Sequence, residues 1–273
     1  MSTATLGILA GGGPFPGQVA AAAVAAGRQV FVVGLRGFAD NGVIAPFPHA
    51  VLRMGAAGEI LTQLRAAGCT DLVLVGPVRR PPLMDLRPDA EGARLLARIG
   101  RAAFAGDDGL LAAVVRVLGE EGFRVIGAHE VLTEAVGPHG LLGRVSPDAS
   151  AAVDIERGVA VARALGAADV GQGCVVQQGL VLAVEAMEGT DAMLSRAGLL
   201  ARPGPGGVFV KLVKPGQDRR ADLPTIGPDT LRAAAAAGLR GVVFEAGGTL
   251  LADRAACIAE ADEAGLFLLG IDP

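Results

Sequence analysis

Leu6-Gly-Ile-Leu-Ala10-Gly11-Gly12-Gly13-Pro14-Phe-Pro16-Gly17-Gln-Val-Ala-Ala-Ala-Ala-Val-Ala-Ala26-Gly27 is the stretch whose reading decides the fold. Leu6–Ala10 reads as a buried strand and Gly11–Pro16 as a loop. Gly17–Ala26 reads as an Ala-rich helix stopped by Gly27. Working outward, Gln29–Val33 is a second strand, Gly58–Ala67 a helix closed by Gly68, and Asp71–Val75 a third strand. Strand–helix alternation at this spacing predicts a parallel sheet with helices packed on it. Pro77, Pro81 and Pro82 interrupt the pattern. Helices follow at Ala90–Ala103 and Gly109–Glu121, with Asp107-Asp108 placed to cap the second. Phe123–Gly127 is a further strand.

Ala135–Pro147 is rich in glycine and proline and has no clear periodicity. A boundary there divides the chain into a Rossmann-like α/β domain over 1–136, a linker over 137–146 and a separate α/β domain over 147–273. The second half reads as helix Ser150–Leu165, strands Gly173–Gln177 and Gly179–Glu185, and a short helix Asp191–Ala197. Strand Gly207–Val213, loop Lys214–Gly227, helix Pro228–Ala237, strand Gly241–Glu245, helix Arg254–Ala264 and strand Leu266–Gly270 complete it.

Composition narrows the function classes. The chain has 273 residues, 51% of them hydrophobic, and much of that is Ala and Val. The best apolar runs, Val19–Ala26 and Leu180–Val184, fall far short of the ~20 residues that span a bilayer. Met1-Ser2-Thr3-Ala4-Thr5 lacks the basic start of a signal peptide, so a cytoplasmic protein is expected. Cys69, Cys174 and Cys257 are scattered and form no metal spacing or disulfide framework. His49, His129 and His139 are isolated as well. A net charge of −4 and the absence of Trp and Tyr weigh against a nucleic-acid surface.

Gly11-Gly12-Gly13 lies between a strand and a helix, where backbone N–H groups and the helix N-terminus suit a phosphate. The second strand ends in Gly34-Leu35-Arg36 without the acidic residue that binds a dinucleotide's ribose, and no P-loop ending follows. That speaks against a nicotinamide-dependent oxidoreductase. The other reading of the glycines is a tight turn with no ligand.

The most polar stretch joined to a buried strand runs Val208-Phe-Val-Lys211-Leu-Val-Lys214-Pro-Gly-Gln217-Asp218-Arg219-Arg220-Ala-Asp222-Leu-Pro224-Thr225-Ile-Gly227. Lys211 and Lys214 would point to opposite faces of one strand, but Pro215-Gly216 ends it and lets Lys214 move with the loop. Carboxylates with lysine and arginine fit hydrolysis of a phosphoanhydride, in which a divalent ion activates water and cations offset phosphate charge. A solvated loop of mutually paired charges is the competing reading. A second acidic cluster, Glu185-Ala-Met-Glu188-Gly-Thr190-Asp191, follows an apolar strand. Thr190 or Asp191 can cap the helix there, which explains one of these residues and not four.

Taken in order, Gly7-Ile-Leu-Ala-Gly-Gly-Gly13, Gly76-Pro-Val-Arg79-Arg80-Pro81, Gly106-Asp-Asp-Gly-Leu-Leu111, Gln172 with Gln177-Gln178-Gly179, Glu185 through Leu194, and Lys214-Pro-Gly-Gln-Asp-Arg219 running to Asp222-Leu-Pro-Thr-Ile-Gly227 form a recognisable series. The chain resembles the UDP-2,3-diacylglucosamine diphosphatase family of lipid A synthesis over nearly its whole length. The resemblance implies hydrolysis to 2,3-diacylglucosamine 1-phosphate and UMP by water attack on the α-phosphorus, dependent on a divalent metal, Mg²⁺. It implies two domains with the substrate held between them, a homodimer, and transient contact with the cytoplasmic face of the inner membrane. It places the essential aspartate at Asp222, with Asp218 as the alternate. On this basis Lys211 and Lys214 neutralise the diphosphate, and Glu185, Glu188 and Asp191 join the two aspartates in holding metal or orienting water. Gly11, Gly12, Gly13, Arg79, Arg80, Gln177, Gln178, Thr190, Gln217, Arg219 and Thr225 are the candidate substrate contacts. A non-catalytic nucleotide-sugar binding protein, or a regulator of envelope synthesis, is the rival from another class. The apolar content fits either a pocket for acyl chains or an Ala/Val-rich core, and no basic amphipathic anchor is visible.

Overall fold

The computed structural model describes residues 4–79, 82–100, 102 and 106–273. Arg80 lies outside them. Two compact units emerge: Met1–Thr133 with Asp218–Asp222, and Glu134–Gln217 with Leu223–Pro273.

The first unit holds a five-stranded sheet of β1 (Thr5–Ala10), β2 (Val30–Leu35), β3 (His49–Leu52), β4 (Cys69–Val75) and β5 (Arg124–Val125), in the order β3-β2-β1-β4-β5. Every pair is parallel. The strands read as continuous apolar runs because both faces are covered. On one face Leu6, Ile8, Val30 and Val32 pack with Val19, Ala20 and Ala23 of α1 (Phe15–Ala25). On the other, Val33 and Leu72 pack with Leu61 and Leu64 of α3 (Ala57–Ala66), Leu95 of α5 (Ala90–Ile99) and Val115 and Leu118 of α6 (Asp107–Glu120). Gly7 faces this second layer, where a Cβ would lie 2.5 Å from Leu72. The chain lays β2 and β3 on one side of β1, then returns to lay β4 on the other. The loops after β1 and β4 therefore flank a topological switch point. At the opposite end, buried Asp71 accepts hydrogen bonds from Arg124 and Arg28, each at 2.8 Å, and the Arg124 bond leads in holding its carboxyl below the usual range.

Three details depart from the sequence reading. Strand β3, preceded by the short helix α2 (Asn41–Ile44), was not expected. Helix α5 stops at Ile99, where Gly100 adopts φ 58. Helix α6 begins at Asp107 with Gly106 at the cap position, so Asp107 and Asp108 fall in its first turn.

The second unit holds a six-stranded sheet of β6 (Gly140–Leu142), β7 (Gly173–Gln177), β8 (Leu180–Val184), β9 (Val208–Lys211), β11 (Gly241–Glu245) and β13 (Phe267–Ile271). Its order is β6-β13-β11-β9-β7-β8. Strands β9, β11 and β13 run parallel, while β7, β8 and β6 pair antiparallel. Helix α8 (Ala149–Ala167) covers one face through Ala151 and Ala162 against Cys174, Val208 and Val210. Helices α9 (Thr190–Gly198), α10 (Pro228–Ala236) and α11 (Arg254–Ala264) cover the other, around Phe209, Phe244, Met193 and Leu231. Short strands β10 (Thr225–Ile226) and β12 (Leu250–Leu251) pair in parallel beside them. The segment 137–146 carries β6, which pairs with β13, so it is built into the sheet edge. Both units are α/β, the first with a Rossmann-like parallel sheet. Among the described residues no helix is long and apolar enough to cross a membrane.

Candidate active site

Strand β9 ends at Lys211, in register with Gly173 of β7 on one side and Phe244 of β11 on the other. Lys211 shares a strand face with Phe209, which packs toward α9, α10 and α11. Its side chain therefore turns under the N-terminus of α9. It is only 5% exposed, and its Nζ donates to Thr190 Oγ1 at 2.8 Å. Thr190 is the first residue of α9, with Gly189 at the cap, so its hydroxyl does not cap the helix. Instead it donates to Glu185 Oε1 at 2.6 Å. Glu185 is buried just beyond β8, and its Oε2 has no hydrogen-bond partner among the described residues.

Lys214 has left the strand. Its Nζ donates to Asp169 Oδ1 at 2.8 Å, and its backbone N–H donates to Gln217 Oε1 at 3.1 Å. Asp169 follows α8 with φ 51, in the left-handed region. At the end of β11, Glu245 Oε2 accepts from the Val213 N–H at 3.1 Å. The carboxyl ends of β9 and β11 thus gather two ammonium groups, three carboxylates and a hydroxyl within one unit.

Other predicted residues are placed elsewhere or otherwise engaged. Gln177 and Gln178 stand at the opposite end of β7 from Gly173, and so at the far end of the sheet from Lys211. The Gln177 amide clamps a loop: it accepts from Arg202 N at 2.9 Å and donates to the carbonyls of Arg202 and Pro205. Gln178 donates to the Pro203 carbonyl at 2.9 Å. Both amides hold the loop at Arg202–Pro205. Glu188 pairs with Arg196 at 2.6 Å, which holds its carboxyl below the usual range. Asp191 is exposed in the first turn of α9. Thr225 lies on β10 and donates to the Leu223 carbonyl.

The segment Asp218–Asp222 belongs to the first unit. Ala221 packs against the cluster that holds Val117, Phe123 and Val125, and the Arg219 carbonyl would lie 3.1 Å from a Cβ on Gly127. Both Asp218 oxygens are taken by Arg220, at 2.9 Å from Nε and 2.7 Å from Nη2, and this pair holds the Asp218 carboxyl below its usual range. The Asp222 N–H donates to the Asp218 carbonyl at 3.3 Å. Among the described residues no group of three or more His, Cys, Asp or Glu stands together to hold a metal.

The glycine-rich turn is a backbone packing device. The Gly11 N–H donates to the Val75 carbonyl at 2.9 Å and the Gly12 N–H to the Pro77 carbonyl at 3.0 Å. A Cβ on Gly11 would lie 2.3 Å from Gly76 O, and one on Gly76 would lie 2.4 Å from Gly12 O. Two of the three amides offered to a phosphate are therefore already bonded. Gly13 has φ 73, which favours glycine. Arg79 is exposed in the loop after β4.

Two family models divide the chain between them. The LpxI N-terminal domain matches residues 5–135 and the LpxI C-terminal domain residues 138–269. The chain belongs to the LpxI family. A curated LpxI relative from Caulobacter vibrioides, named UDP-2,3-diacylglucosamine pyrophosphatase LpxI, is 48% identical over 274 residues, covering 98% of each chain. A solved structure of a glycinamide-RNase-transformylase T from Mycobacterium tuberculosis is 16% identical, over 67% of this chain and 44% of its own, with a TM-score of 0.25. That likeness carries no argument. The LpxI C-terminal match contains Glu185, Thr190, Lys211 and Lys214, and also Asp218–Asp222, which pack with the first unit.

Sequence reasoning missed Asp169 and Glu245 as partners in this cluster. One signal was available. Lys211 and Lys214 are the only lysines in the chain, and every other strong cation is arginine. A protein that uses arginine everywhere else keeps the compact ammonium at one strand end, where a guanidinium is not equivalent.

Proposed function

We propose that this LpxI-family chain is a hydrolase that cleaves UDP-2,3-diacylglucosamine to 2,3-diacylglucosamine 1-phosphate and UMP in lipid A synthesis. The observation that carries the reading is the 48% identity, over 98% of both chains, to a relative named for that substrate. The geometry of the second unit supports it. Lys211 and Lys214 are held by separate anchors at one strand end, and ammonium groups so fixed stabilise charge on a diphosphate without reorganising during the reaction.

Asp222 is the essential carboxylate in this reading. Asp218 serves the loop, because both of its oxygens are committed to Arg220. A hard divalent ion of the Mg²⁺ class needs only one or two protein carboxylates when the substrate's phosphates supply further oxygens, so the lack of a three-carboxylate cluster is compatible with it. Asp222 is the residue that would hold it. When bound, such an ion lowers the pKa of water and offsets charge on the leaving phosphate. The exposed Arg79 and Arg219 suit the outer phosphate and the nucleotide. A cytoplasmic homodimer meeting its diacyl substrate at the inner-membrane surface completes the reading.

The test is incubation with UDP-2,3-diacylglucosamine and Mg²⁺ in ¹⁸O-water. Label in UMP is expected from attack on the α-phosphorus. Label in the sugar phosphate would refute that attack, and no release of UMP would refute the hydrolase.

A further inference from the structure

Thr190 stands between two buried charged side chains. Lys211 Nζ lies 2.8 Å from Thr190 Oγ1, which lies 2.6 Å from Glu185 Oε1. An ammonium only donates and a carboxylate only accepts. The single hydroxyl proton must therefore point at Glu185, leaving an oxygen lone pair for Lys211. The direction of this chain of bonds is fixed before any ligand arrives. A bond to a carboxylate also polarises the hydroxyl and makes its oxygen a better acceptor.

The second oxygen of Glu185 is turned inward. A Cβ on Gly173 would lie 2.9 Å from Glu185 Oε2 and 2.8 Å from the Phe209 ring. The absent side chain at Gly173 is thus what makes room for the carboxylate. One oxygen of Glu185 is thus engaged by Thr190 and the other is packed beside Gly173. Lys214 has a different anchor, Asp169, beyond α8.

We propose that Glu185 is a positioning residue for Lys211: acting through the Thr190 hydroxyl, it fixes the ammonium at the carboxyl end of β9, where that ammonium meets the anionic diphosphate of the substrate. The identity of the anion rests on the hydrolase reading above; the positioning does not. Neither Glu185 nor Thr190 needs to touch the reacting atoms. Gly173, Thr190 and Glu185 form one device, and its output is the location of Lys211 Nζ.

The test uses the full chain with isotopically labelled lysine, which gives only two sets of side-chain signals because the chain has only two lysines. Glu185→Gln and Thr190→Val are each expected to shift the Lys211 signal and leave the Lys214 signal in place. Thr190→Ser, which keeps the hydroxyl, is expected to leave both unmoved. In turnover, Glu185→Gln and Thr190→Val should each lower kcat about 100-fold with KM little changed, the scale of a misplaced group. The double variant should lose no more than either single, because the residues act as a unit. Wild-type kcat in Glu185→Gln, multiplicative losses in the double variant, or recovery of Glu185→Gln at raised Mg²⁺ would each overturn the proposal, the last by making Glu185 a cation ligand. Should Glu185→Gln fail to fold, Thr190→Val against Thr190→Ser decides by the same two readouts. If the wild-type protein releases no UMP, the hydrolase reading falls. The lysine signals still test the positioning, and an unmoved Lys211 signal in Thr190→Val would refute it.

Discussion

In the first unit, the loops that follow β1 and β4 meet at the strands' carboxyl ends through close backbone packing. Gly11 and Gly12 donate to the carbonyls of the neighbouring loop, and Gly11 and Gly76 have no room for side chains. In the second unit, the carboxyl end of β9 is occupied by side chains: Lys211 on Thr190 and Glu185, and Lys214 on Asp169. Both places are strand ends of parallel pairs, where ligands commonly bind. The difference teaches that glycine density at such an end can report how closely two backbones approach, whereas charge held there against the cost of burial points to chemistry.

The largest effect that sharpens this contrast is on turnover. Asp222→Ala should lower kcat about 1000-fold, the scale of removing a principal electrostatic group. Asp218→Ala should lose less, since Asp218 acts on Arg220. Equal losses in steady-state assays would show that the two aspartates share one task. Next comes Gly11→Ala, whose Cβ would meet a backbone carbonyl that cannot swing aside. It should destabilise the protein by about 1–3 kcal/mol, seen as a fall of about 2–10 °C in the thermal midpoint. An unchanged midpoint would break the packing account of the glycines.

Gln177→Ala separates the two ends of the second sheet. It strands the backbone groups of Arg202 and Pro205 that the amide holds, at a cost of about 1–3 kcal/mol. Its kcat should equal that of the wild type, because Lys211 lies at the other end of β7 and β9. A lower kcat in the folded variant would return Gln177 to the site.

Much of the first unit is legible in the sequence, because buried parallel strands and Ala-rich helices leave local apolar runs between glycine stops. What escaped was short or nonlocal. Strand β3 has only four residues and follows Pro46 and Pro48, so no periodicity can build up. Strands β10 and β12 have two residues each and exist only as a pair. That Asp218–Asp222 packs with the first unit is set by Ala221 finding a distant apolar cluster, which no window around it records. The same holds for the site. Glu185, Thr190 and Lys211 were each visible as polar residues near buried strands, but their order of contact depends on β7 lying between β8 and β9. The restriction of lysine to two positions was visible from the start and is the sequence's plainest sign of where ammonium groups matter.

The smallest predicted effect lies away from both strand ends and serves as a control. Glu121 accepts from Arg98, Arg94 and Arg65, which lower its pKa from 4.5 to about 2. Its folded-state value is depressed, so its contribution is complete above pH 4.5 and is lost as pH falls toward about 2. Glu121→Gln should therefore flatten the fall in thermal midpoint over that window and leave the midpoint's pH dependence above it unchanged. Screening limits the size of the effect at this surface.

In the proposed reading the lysine-bearing strand end contributes to turnover and the glycine turn does not. The most direct measurement compares initial rates of UMP release from UDP-2,3-diacylglucosamine, at saturating substrate, by folded Lys211→Met and Gly12→Ala. A Cβ on Gly12 would meet Phe38 O at 3.2 Å, a tight contact but milder than the 2.3 Å overlap at Gly11. The account predicts a loss of about 100- to 1000-fold for Lys211→Met and a near wild-type rate for Gly12→Ala. A near wild-type rate in Lys211→Met, with the loss falling on Gly12→Ala, would contradict it.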